Sequence, residues 1–351
     1  MSTAEFQTPA FAPPPLLGNG RLMTLVGALP RPNLAAFDRT ASERIFEVGD
    51  GSRLLARCHW QPEPREAAAV VLLHGLTGSA SSAYAISTAR KLFARGFSVV
   101  RLNARNCGGT EELATTLYHA ALVDDPLHVL RALIEAPGVP RLYLAGFSMG
   151  GNLALLLAAT RADVLPPELA AIAAVSPPLD LAGCSRLCAA TRFNRRLTRR
   201  FLLDFERMLA RREALFPGSI DLDAFDRRMS LWDFDAAYTA PLAGYASVED
   251  YYAAGSVAGR FEQIRLPGLV VHAEDDPLIR PEPFRSPELV DHPRLERVLT
   301  ADGGHVAFVA RAPAEGLLGR DEDRRWAENR LVDFLCHREG IWKSAGGAPQ
   351  A

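Results

Sequence analysis

The sequence lacks several features that mark common classes of protein. It has five cysteines in 351 residues, an odd number, and no C-x-x-C pair. This argues against a disulfide framework or a zinc site and favours reduced cysteines in the cytoplasm. No apolar run reaches about 18 residues, so stable membrane insertion is not expected. The opening stretch "MSTAEFQTPAFAPPPLL" has no basic region and no unbroken apolar region, so it does not resemble a signal peptide.

An excess of charge is also missing. Lysine and arginine together number 39 and aspartate and glutamate 41, which leaves a net charge of −2. That balance gives no reason to expect a nucleic acid as partner. Lysine is nearly absent, since only Lys91 and Lys343 occur. The H-E-x-x-H, P-loop and dinucleotide-binding fingerprints are absent as well.

What the sequence does contain is a regular alternation of short apolar runs and helical segments. Asp50-Gly51 joins two apolar runs and predicts a hairpin turn. The alternation beyond it predicts an α/β fold with a doubly wound, mostly parallel sheet. Strands are predicted at 68–74, 97–104, 141–146 and 169–178, with helices at 83–95 and 122–135 and after Ser148.

The alternation of strands and helices stops at residue 181 and resumes after residue 262. The interval has no convincing core strand, and it holds an arginine-rich helical stretch followed by an aromatic one. Strands are expected again at 266–277 and 295–305, before a last helix at 322–337. The simplest organisation is an extended or partly disordered arm (1–40), an α/β core (41–180 and 263–342), a helical cap (181–262) and a disordered tail (343–351).

The segment Gly146-Phe147-Ser148-Met149-Gly150 fits G-x-S-x-G, and it lies between a predicted strand and a predicted helix. A nucleophilic serine needs a sharp turn that projects its hydroxyl above the sheet, and side chains at the flanking positions would clash. The following helix directs its amino-terminal N–H groups towards the same place. Ser148 is therefore the candidate nucleophile.

A serine hydroxyl needs a base, and in folds with this turn the order along the chain is serine, acid, histidine. Of the later histidines, His272 lies in an apolar strand, His292 in a proline-flanked loop and His337 in the last helix. Only His305 falls in a glycine-containing loop after a late strand, where it could reach the tops of the strands. His305 is therefore the candidate base.

The acid is expected at the end of the preceding strand, where "VVHAEDDPLIRPE" offers three carboxylates. Asp276, just before Pro277, lies at the turn out of the strand and is the first choice. Asp275 is the rival, and Glu274 completes the cluster.

Acyl transfer also needs N–H donors for the oxyanion. The main-chain N–H of Met149 follows the nucleophile. The second donor is expected from the loop "HGLTGS" (74–79), where Leu76 is the best candidate. His74 is expected to shape this loop through hydrogen bonds.

Two weaker patterns have ordinary explanations. His119 and Asp124 fit H-x-x-x-x-D, a pattern of some acyltransferases, but Asp124 opens a helix and helix capping explains it. The stretch from Arg186 to Arg212 carries nine arginines against Asp204 and Glu206. A cap helix with its apolar side over the site and its charges in water explains it. The alternative is an entrance that attracts an anionic substrate, or peripheral contact with a lipid surface.

The sequence resembles the YheT-like branch of the α/β-hydrolases over roughly residues 11–340. The blocks that carry the likeness include "LLHGLTGS", "VVRLNARNCGGT", "AGFSMGGN", "FDAAYTAP" and "DYYAAGS". The arm resembles that family's "F-x-P…N-x-H-x-Q-T", although Arg21 and Met23 replace the usual His and Gln. The resemblance implies an α/β-hydrolase fold, a triad of Ser148, Asp276 and His305, and ester substrates that carry an acyl chain.

We therefore expect a cytoplasmic serine esterase that acts on a small-molecule ester and requires neither a metal nor an organic cofactor. One alternative is acyl transfer to a small alcohol, because the same acyl-enzyme would serve both reactions. The other is a binding or scaffold protein that has kept the fold without catalysis.

Overall fold

A computed structural model describes residues 6–29 and 34–341 of the chain. Its centre is a sheet of eight strands, six of which are joined by parallel pairing. The predicted fold class, α/β with a mostly parallel sheet and helices on both faces, is confirmed. The strands are β1 (Ser42–Glu47), β2 (Arg53–His59), β3 (Ala69–Leu73), β4 (Ser98–Leu102), β5 (Leu142–Phe147), β6 (Leu169–Val175), β7 (Gly268–Ala273) and β8 (Leu295–Thr300).

The strand order is β1-β2-β4-β3-β5-β6-β7-β8. The hairpin β1–β2 and the pairing of β2 with β4 are antiparallel. Asp50 and Gly51 turn the hairpin with φ of 58° and 79°, the left-handed region that tight hairpin turns require. Since β3 lies between β4 and β5, the chain reverses its direction of travel across the sheet beside these central strands. Their carboxyl ends therefore form the natural place for a site.

Helices cover both faces of the sheet, so the central strands are buried on both sides. In β3, for example, Val71 packs into one core cluster while Val70 and Leu72 pack into the other. The helices that cover the sheet are α3 (Ala83–Phe93), α4 (Asp124–Glu135), α5 (Met149–Thr160), α11 (Pro287–Val290) and α12 (Trp326–Glu339).

The interval 181–262 is helical, as the sequence predicts, and it joins the sheet after β6. The division of the chain into arm, core, cap and tail at the predicted boundaries stays a prediction. The helices here are α6 (Leu181–Ala190), α7 (Arg192–Leu215), α8 (Leu231–Phe234), α9 (Ala240–Leu242) and α10 (Val248–Gly255), with a π-helical turn at Asp235–Thr239 and short 3₁₀ turns at Leu222–Ala224 and Phe261–Gln263.

Long α7 shows why the spacing of its apolar residues predicted a helix. Phe205 and Leu209 are buried in a cluster with Phe234 and Tyr238, while Leu197 is half-buried at the same helical spacing. Thr191 caps the helix by accepting a hydrogen bond from the Asn194 N–H at 3.0 Å.

The arm differs from the expectation of an extended or disordered segment in its described part. It contains α1 (Gly20–Gly27) and α2 (Leu34–Arg39). Asn19 caps α1 by accepting from two main-chain N–H groups, and Met23 is fully buried against Ala307 and Val309. Tertiary contact with the loop after β8 therefore organises a segment whose local pattern is weak. The predicted disordered tail lies outside the described residues.

Smaller elements were not predicted. They are 3₁₀ turns at Glu111–Leu113 and Glu282–Arg285 and the two-stranded ribbon of β9 (Glu315–Gly316) and β10 (Gly319–Arg320). Within the described residues, no helix has the length and apolar character that a membrane span requires.

Candidate active site

Ser148 lies at the junction of β5 and α5, at the carboxyl end of a central strand. Its φ is 51° and its ψ −122°, a strained conformation for a residue with a side chain. A Cβ at Gly146 would overlap the backbone of Gly150, and one at Gly150 would lie 2.6 Å from the carbonyl oxygens of Leu73 and His74. The two glycines are therefore required because strand and helix backbones approach each other so closely at this turn.

The candidate base and acid lie in line with this serine. His305 Nε2 is 3.0 Å from Ser148 Oγ, and His305 Nδ1 is 2.8 Å from Asp276 Oδ2. A carboxylate accepts hydrogen bonds, so Nδ1 carries the proton and Nε2 is free to accept the serine hydroxyl. The structure thus brings together three side chains that are 157 and 29 residues apart in sequence.

Asp276 is buried and fully hydrogen-bonded. Its Oδ1 accepts from the N–H groups of Leu278 and Ile279 at 2.8 and 3.1 Å. Burial alone would raise the pKa of Asp276, but the charge and hydrogen bond of His305 hold that pKa below its ordinary value. Asp276 is therefore an ionised acceptor beside the imidazole.

The rival acid, Asp275, points elsewhere. Its Oδ1 accepts from the Gly304 N–H at 2.8 Å. Thr24 Oγ1 in α1 accepts from the His305 N–H at 2.8 Å, and Ser176 Oγ accepts from the Val306 N–H at 3.1 Å. Three side chains from different parts of the chain thus hold three consecutive N–H groups around His305.

The loop after β3 lies against the serine. A Cβ at Gly75 would lie 3.0 Å from Ser148 Cβ, so the main chain at 75–76 borders the hydroxyl directly. In the described chain, neither the Leu76 nor the Met149 N–H has a main-chain hydrogen-bond acceptor. Both residues line the pocket that contains Ser148.

His74 fixes this loop through hydrogen bonds, as its position in the sequence predicts. Its Nε2 accepts from the Ala104 N–H at 3.0 Å, so its Nδ1 carries the proton and donates to the Gly75 carbonyl at 2.7 Å. Burial lowers the pKa of His74 to about 4, so the ring is neutral near pH 7. Its contacts are structural, because His74 joins the loop after β3 to the loop after β4.

The pocket above Ser148 has a volume of about 320 Å³. This lies at the lower end of the range of small-molecule sites, roughly 300–1,000 Å³. Most of its walls are apolar, and the helices of 181–262 form its roof. Apolar residues of that roof include Leu181, Phe201, Phe205, Met208 and Phe234.

The charged side of α7 was expected to lie in water, but part of it faces the pocket. Asp204, Arg207 and Arg211 also line the pocket, and Arg211 pairs with Glu111 at 3.1 Å. One rim of the pocket is therefore charged.

Two polar residues of the pocket were not singled out from the sequence. Asn106 is buried with φ of 57°, and neither its Oδ1 nor its Nδ2 has a hydrogen-bond partner among the described residues. Asp235 accepts from Thr239 Oγ1 at 2.6 Å and from the Tyr252 hydroxyl at 2.8 Å. Burial raises the pKa of Asp235 to about 6 despite these two hydrogen bonds.

A signal for Asn106 existed, because it precedes Cys-Gly-Gly in the loop after β4, at the same edge of the sheet as Ser148. Asp235 had no local signal beyond its membership of the block "FDAAYTAP", since nothing in that aromatic stretch shows which side chains face inward.

The capping explanation for Asp124 was wrong. Asp124 begins α4, but its carboxylate binds Arg161 at 2.8 and 2.9 Å instead of capping the helix. His119 lines the pocket, and burial lowers its pKa to about 4. In the described chain His119 and Asp124 share no hydrogen bond or ion pair, so H-x-x-x-x-D forms no dyad here.

No group of three or more potential metal ligands is found among the described residues. The site consists of a serine, an imidazole, an ionised carboxylate, two N–H donors without a main-chain acceptor among the described residues, and a largely apolar pocket. This set of groups is suited to nucleophilic attack on a carbonyl carbon.

Comparison with known proteins identifies the family. Residues 68–312 match a family model described as alpha/beta hydrolase fold. The chain is 30% identical over 338 residues to the putative esterase YheT of Escherichia coli, covering 94% of each chain. It is 27% identical over 290 residues to the medium-chain fatty acid ethyl ester synthase/esterase 2 of Saccharomyces cerevisiae, covering 76% of this chain and 61% of that protein.

Among solved structures, the Pyrococcus furiosus esterase Pf2001 is similar in fold. The TM-score is 0.55 with 15% sequence identity, over 94% of this chain and 99% of that one. At this identity the likeness concerns the fold alone. The family model, the similarity along nearly the whole chain and the shared fold together show that this chain belongs to the α/β-hydrolase family, in its YheT-like branch.

Proposed function

We propose that the protein is a serine-dependent carboxylic ester hydrolase that works through an acyl-enzyme. The observation that carries the proposal is the line of hydrogen bonds from Ser148 Oγ through His305 to Asp276, at 3.0 and 2.8 Å. The names of relatives support the ester substrate, since they include two putative esterases and a monoacylglycerol lipase.

In the first half of the reaction, His305 Nε2 takes the proton from Ser148 as Oγ attacks the ester carbonyl carbon. The carbonyl oxygen becomes an oxyanion, and the N–H groups of Leu76 and Met149 bind it. Ionised Asp276 keeps the proton on Nδ1 and stabilises the imidazolium. His305 then gives its proton to the leaving alcohol, which leaves an acyl group on Ser148.

In the second half, water replaces the alcohol. His305 takes a proton from the water as its oxygen attacks the acyl carbonyl, and the resulting oxyanion binds the same two N–H groups. Collapse of the intermediate breaks the bond to Ser148 Oγ, which recovers its proton from His305. The products are a carboxylic acid and an alcohol, and the reaction requires no metal or organic cofactor.

We further propose that the acyl group carries an alkyl chain. The apolar walls of the pocket and its volume of about 320 Å³ support a chain of moderate length. Asn106 lines this pocket, and its amide, which has no partner among the described residues, would bind a polar group of the substrate.

The test is Ser148→Ala, assayed with p-nitrophenyl esters of increasing chain length. The variant loses the nucleophile, so kcat should fall by a factor on the order of 10⁶, while the melting temperature stays close to that of the wild type. Undiminished turnover by a folded variant would overturn the proposal. The chain-length series on the wild type then gives the preferred acyl group.

Two further measurements address the alternatives. Acyl transfer has support in the similarity to a yeast ethyl ester synthase/esterase, so hydrolysis in the presence of ethanol or glycerol should be analysed for new esters. A non-catalytic binding protein would not react with a fluorophosphonate probe, whereas the proposed enzyme should be labelled at Ser148.

A further inference from the structure

A second concave surface lies beside the pocket, between the first half of α7 and the segment 227–231. We name it the arginine groove, and its volume is about 890 Å³. Its floor is apolar, formed by Phe193, Leu202, Met229 and Leu231. Its rim carries six arginines, which are Arg192, Arg195, Arg196, Arg199, Arg227 and Arg228.

The rim is positively charged because four of its six arginines have no carboxylate partner in the described chain. Arg227 pairs with Glu206 at 2.8 Å and Arg228 with Asp226 at 2.9 Å. No carboxylate of the described chain lies within 4.0 Å of Arg192, Arg196 or Arg199, which are exposed on one side of α7. Arg195 has no carboxylate partner there either, and it donates to the Ala189 carbonyl at 2.6 Å. The stretch 192–200 contains five arginines and no acidic residue.

The floor of the groove places partly exposed apolar side chains beside this charged rim. Leu202 is buried, and Phe193, Met229 and Leu231 are only half-buried along the groove. The guanidinium of Arg21 in α1 lies over the Phe193 ring at 5.2 Å and adds another cation at this end. An inorganic anion would pair with the arginines of the rim but leave the apolar floor in contact with water. A neutral alkyl chain would cover the floor but leave the arginines without an anionic partner.

The groove is adjacent to the pocket of Ser148. Cys188 and Leu231 line both, so the same two side chains separate them. A chain on the floor of the groove would therefore end beside the roof of the pocket.

We propose that the arginine groove is a second binding site, which holds an anionic amphiphile with its phosphate or carboxylate on the arginine rim and its alkyl chain on the apolar floor. Guanidinium groups bind both kinds of head group through paired hydrogen bonds. The proposal does not depend on catalysis at Ser148. It is nevertheless consistent with it, since the proposed hydrolysis of an alkanoyl ester releases an amphiphile of this kind.

The test measures binding of monomeric dodecyl phosphate, below its critical micelle concentration, by titration calorimetry. The groove variant is Arg192→Gln, Arg196→Gln, Arg199→Gln. The matched control removes three exposed arginines outside the groove, Arg39→Gln, Arg53→Gln, Arg200→Gln. The groove variant should bind at least about tenfold more weakly, because three exposed ion pairs are lost. The control should bind within about twofold of the wild type.

Two other ligands separate an amphiphile site from its alternatives. Dodecylphosphocholine has the same chain with no net charge, and inorganic phosphate has the charge with no chain, so both should bind more weakly than dodecyl phosphate. Equal affinity of the groove and control variants would overturn the proposal. Phosphate that binds as tightly as dodecyl phosphate would also overturn it. So would binding seen only with vesicles of anionic lipid, which would assign the rim to membrane docking.

Failure of the groove proposal can be distinguished from failure of the esterase proposal. Calorimetry detects binding whether or not esters are hydrolysed, and the activity of Ser148→Ala is measured separately. Melting temperatures of both triple variants show whether they are folded.

Discussion

Asp275 and Asp276 are neighbours in the chain, yet their carboxylates hold different parts of the same loop. Asp276 accepts from the imidazole of His305, and Asp275 accepts from the Gly304 N–H one residue before it. Only the first is placed to select which ring nitrogen carries the proton. Matched substitutions should therefore have very different effects on catalysis.

In Asp276→Asn, the N–H groups of Leu278 and Ile279 would keep the amide oxygen on their side and turn the NH₂ towards His305 Nδ1. That arrangement puts the imidazole proton on Nε2, and a protonated Nε2 cannot accept the proton of Ser148. We expect kcat to fall by a factor on the order of 10⁴. Ester hydrolysis measured at saturating substrate tests this.

The matched variant, Asp275→Asn, keeps an acceptor for Gly304 and should retain activity within a few-fold of the wild type. An equal loss in both variants would mean that the two carboxylates act together instead of in separate roles.

Asn106 offers a different test at the same scale. Its φ of 57° is unfavourable for most side chains, and its buried amide is unpaired within the described chain. Asn106→Gly removes the amide at a position where glycine is unstrained. We expect the melting temperature to stay the same or rise while kcat/KM falls. Unchanged kcat/KM would show that the amide does not contact substrate.

At the level of elements, α1 has a role that its weak sequence pattern does not suggest. A Cβ at Gly20 would overlap the carbonyl oxygen of Asp275, so the helix backbone lies directly against the loop that carries the acid. Thr24 accepts from the His305 N–H at 2.8 Å and donates to the Gly20 carbonyl at 2.6 Å. The arm therefore supports the candidate base from outside the pocket.

Thr24→Val keeps the shape of the side chain but removes the hydroxyl. The His305 N–H would lose its acceptor, at a cost of about 1–3 kcal/mol. We expect a lower kcat with little change in KM, because Thr24 does not line the pocket. Steady-state kinetics of the purified variant provide the measurement.

Thr24→Ser restores the hydroxyl and serves as the control. If Thr24→Ser and Thr24→Val are impaired alike, packing and not the hydrogen bond explains the effect.

The elements that sequence could predict are those with a strong period or a fixed local geometry. Buried parallel strands are continuous apolar runs, and the turn at Ser148 requires glycines at both sides, so β3, β5 and G-x-S-x-G were evident. The arm was not, since α1 depends on contacts with residues about 280 positions away. Asn106 and Asp235 were also missed, because which side chains face a pocket depends on how the cap packs.

At the scale of the whole molecule, Asp235 links the pocket to folding stability. Its folded-state pKa of about 6 lies above the ordinary value of 3.8. The stability that goes with its neutral form is therefore fully present below pH 3.8 and is lost as pH rises through about 6. At neutral pH the charged carboxylate costs stability.

Asp235→Asn removes this charge and should raise the melting temperature at pH 7.5, with a smaller gain at pH 5. Thermal unfolding at both pH values tests the prediction. Asp223→Asn, an exposed carboxylate in the same part of the chain, should change little at either pH. An equal gain for Asp235→Asn at both pH values would contradict the assigned titration.

The bond between Thr24 and His305 also has a consequence for how the protein is made. During translation the arm leaves the ribosome before the loop that it supports, because Thr24 precedes His305 by 281 residues. Ser148 also emerges before its candidate base. A nascent chain therefore carries Ser148 without its base, and esterase activity should appear only after the loop around His305 has emerged and has closed onto the arm.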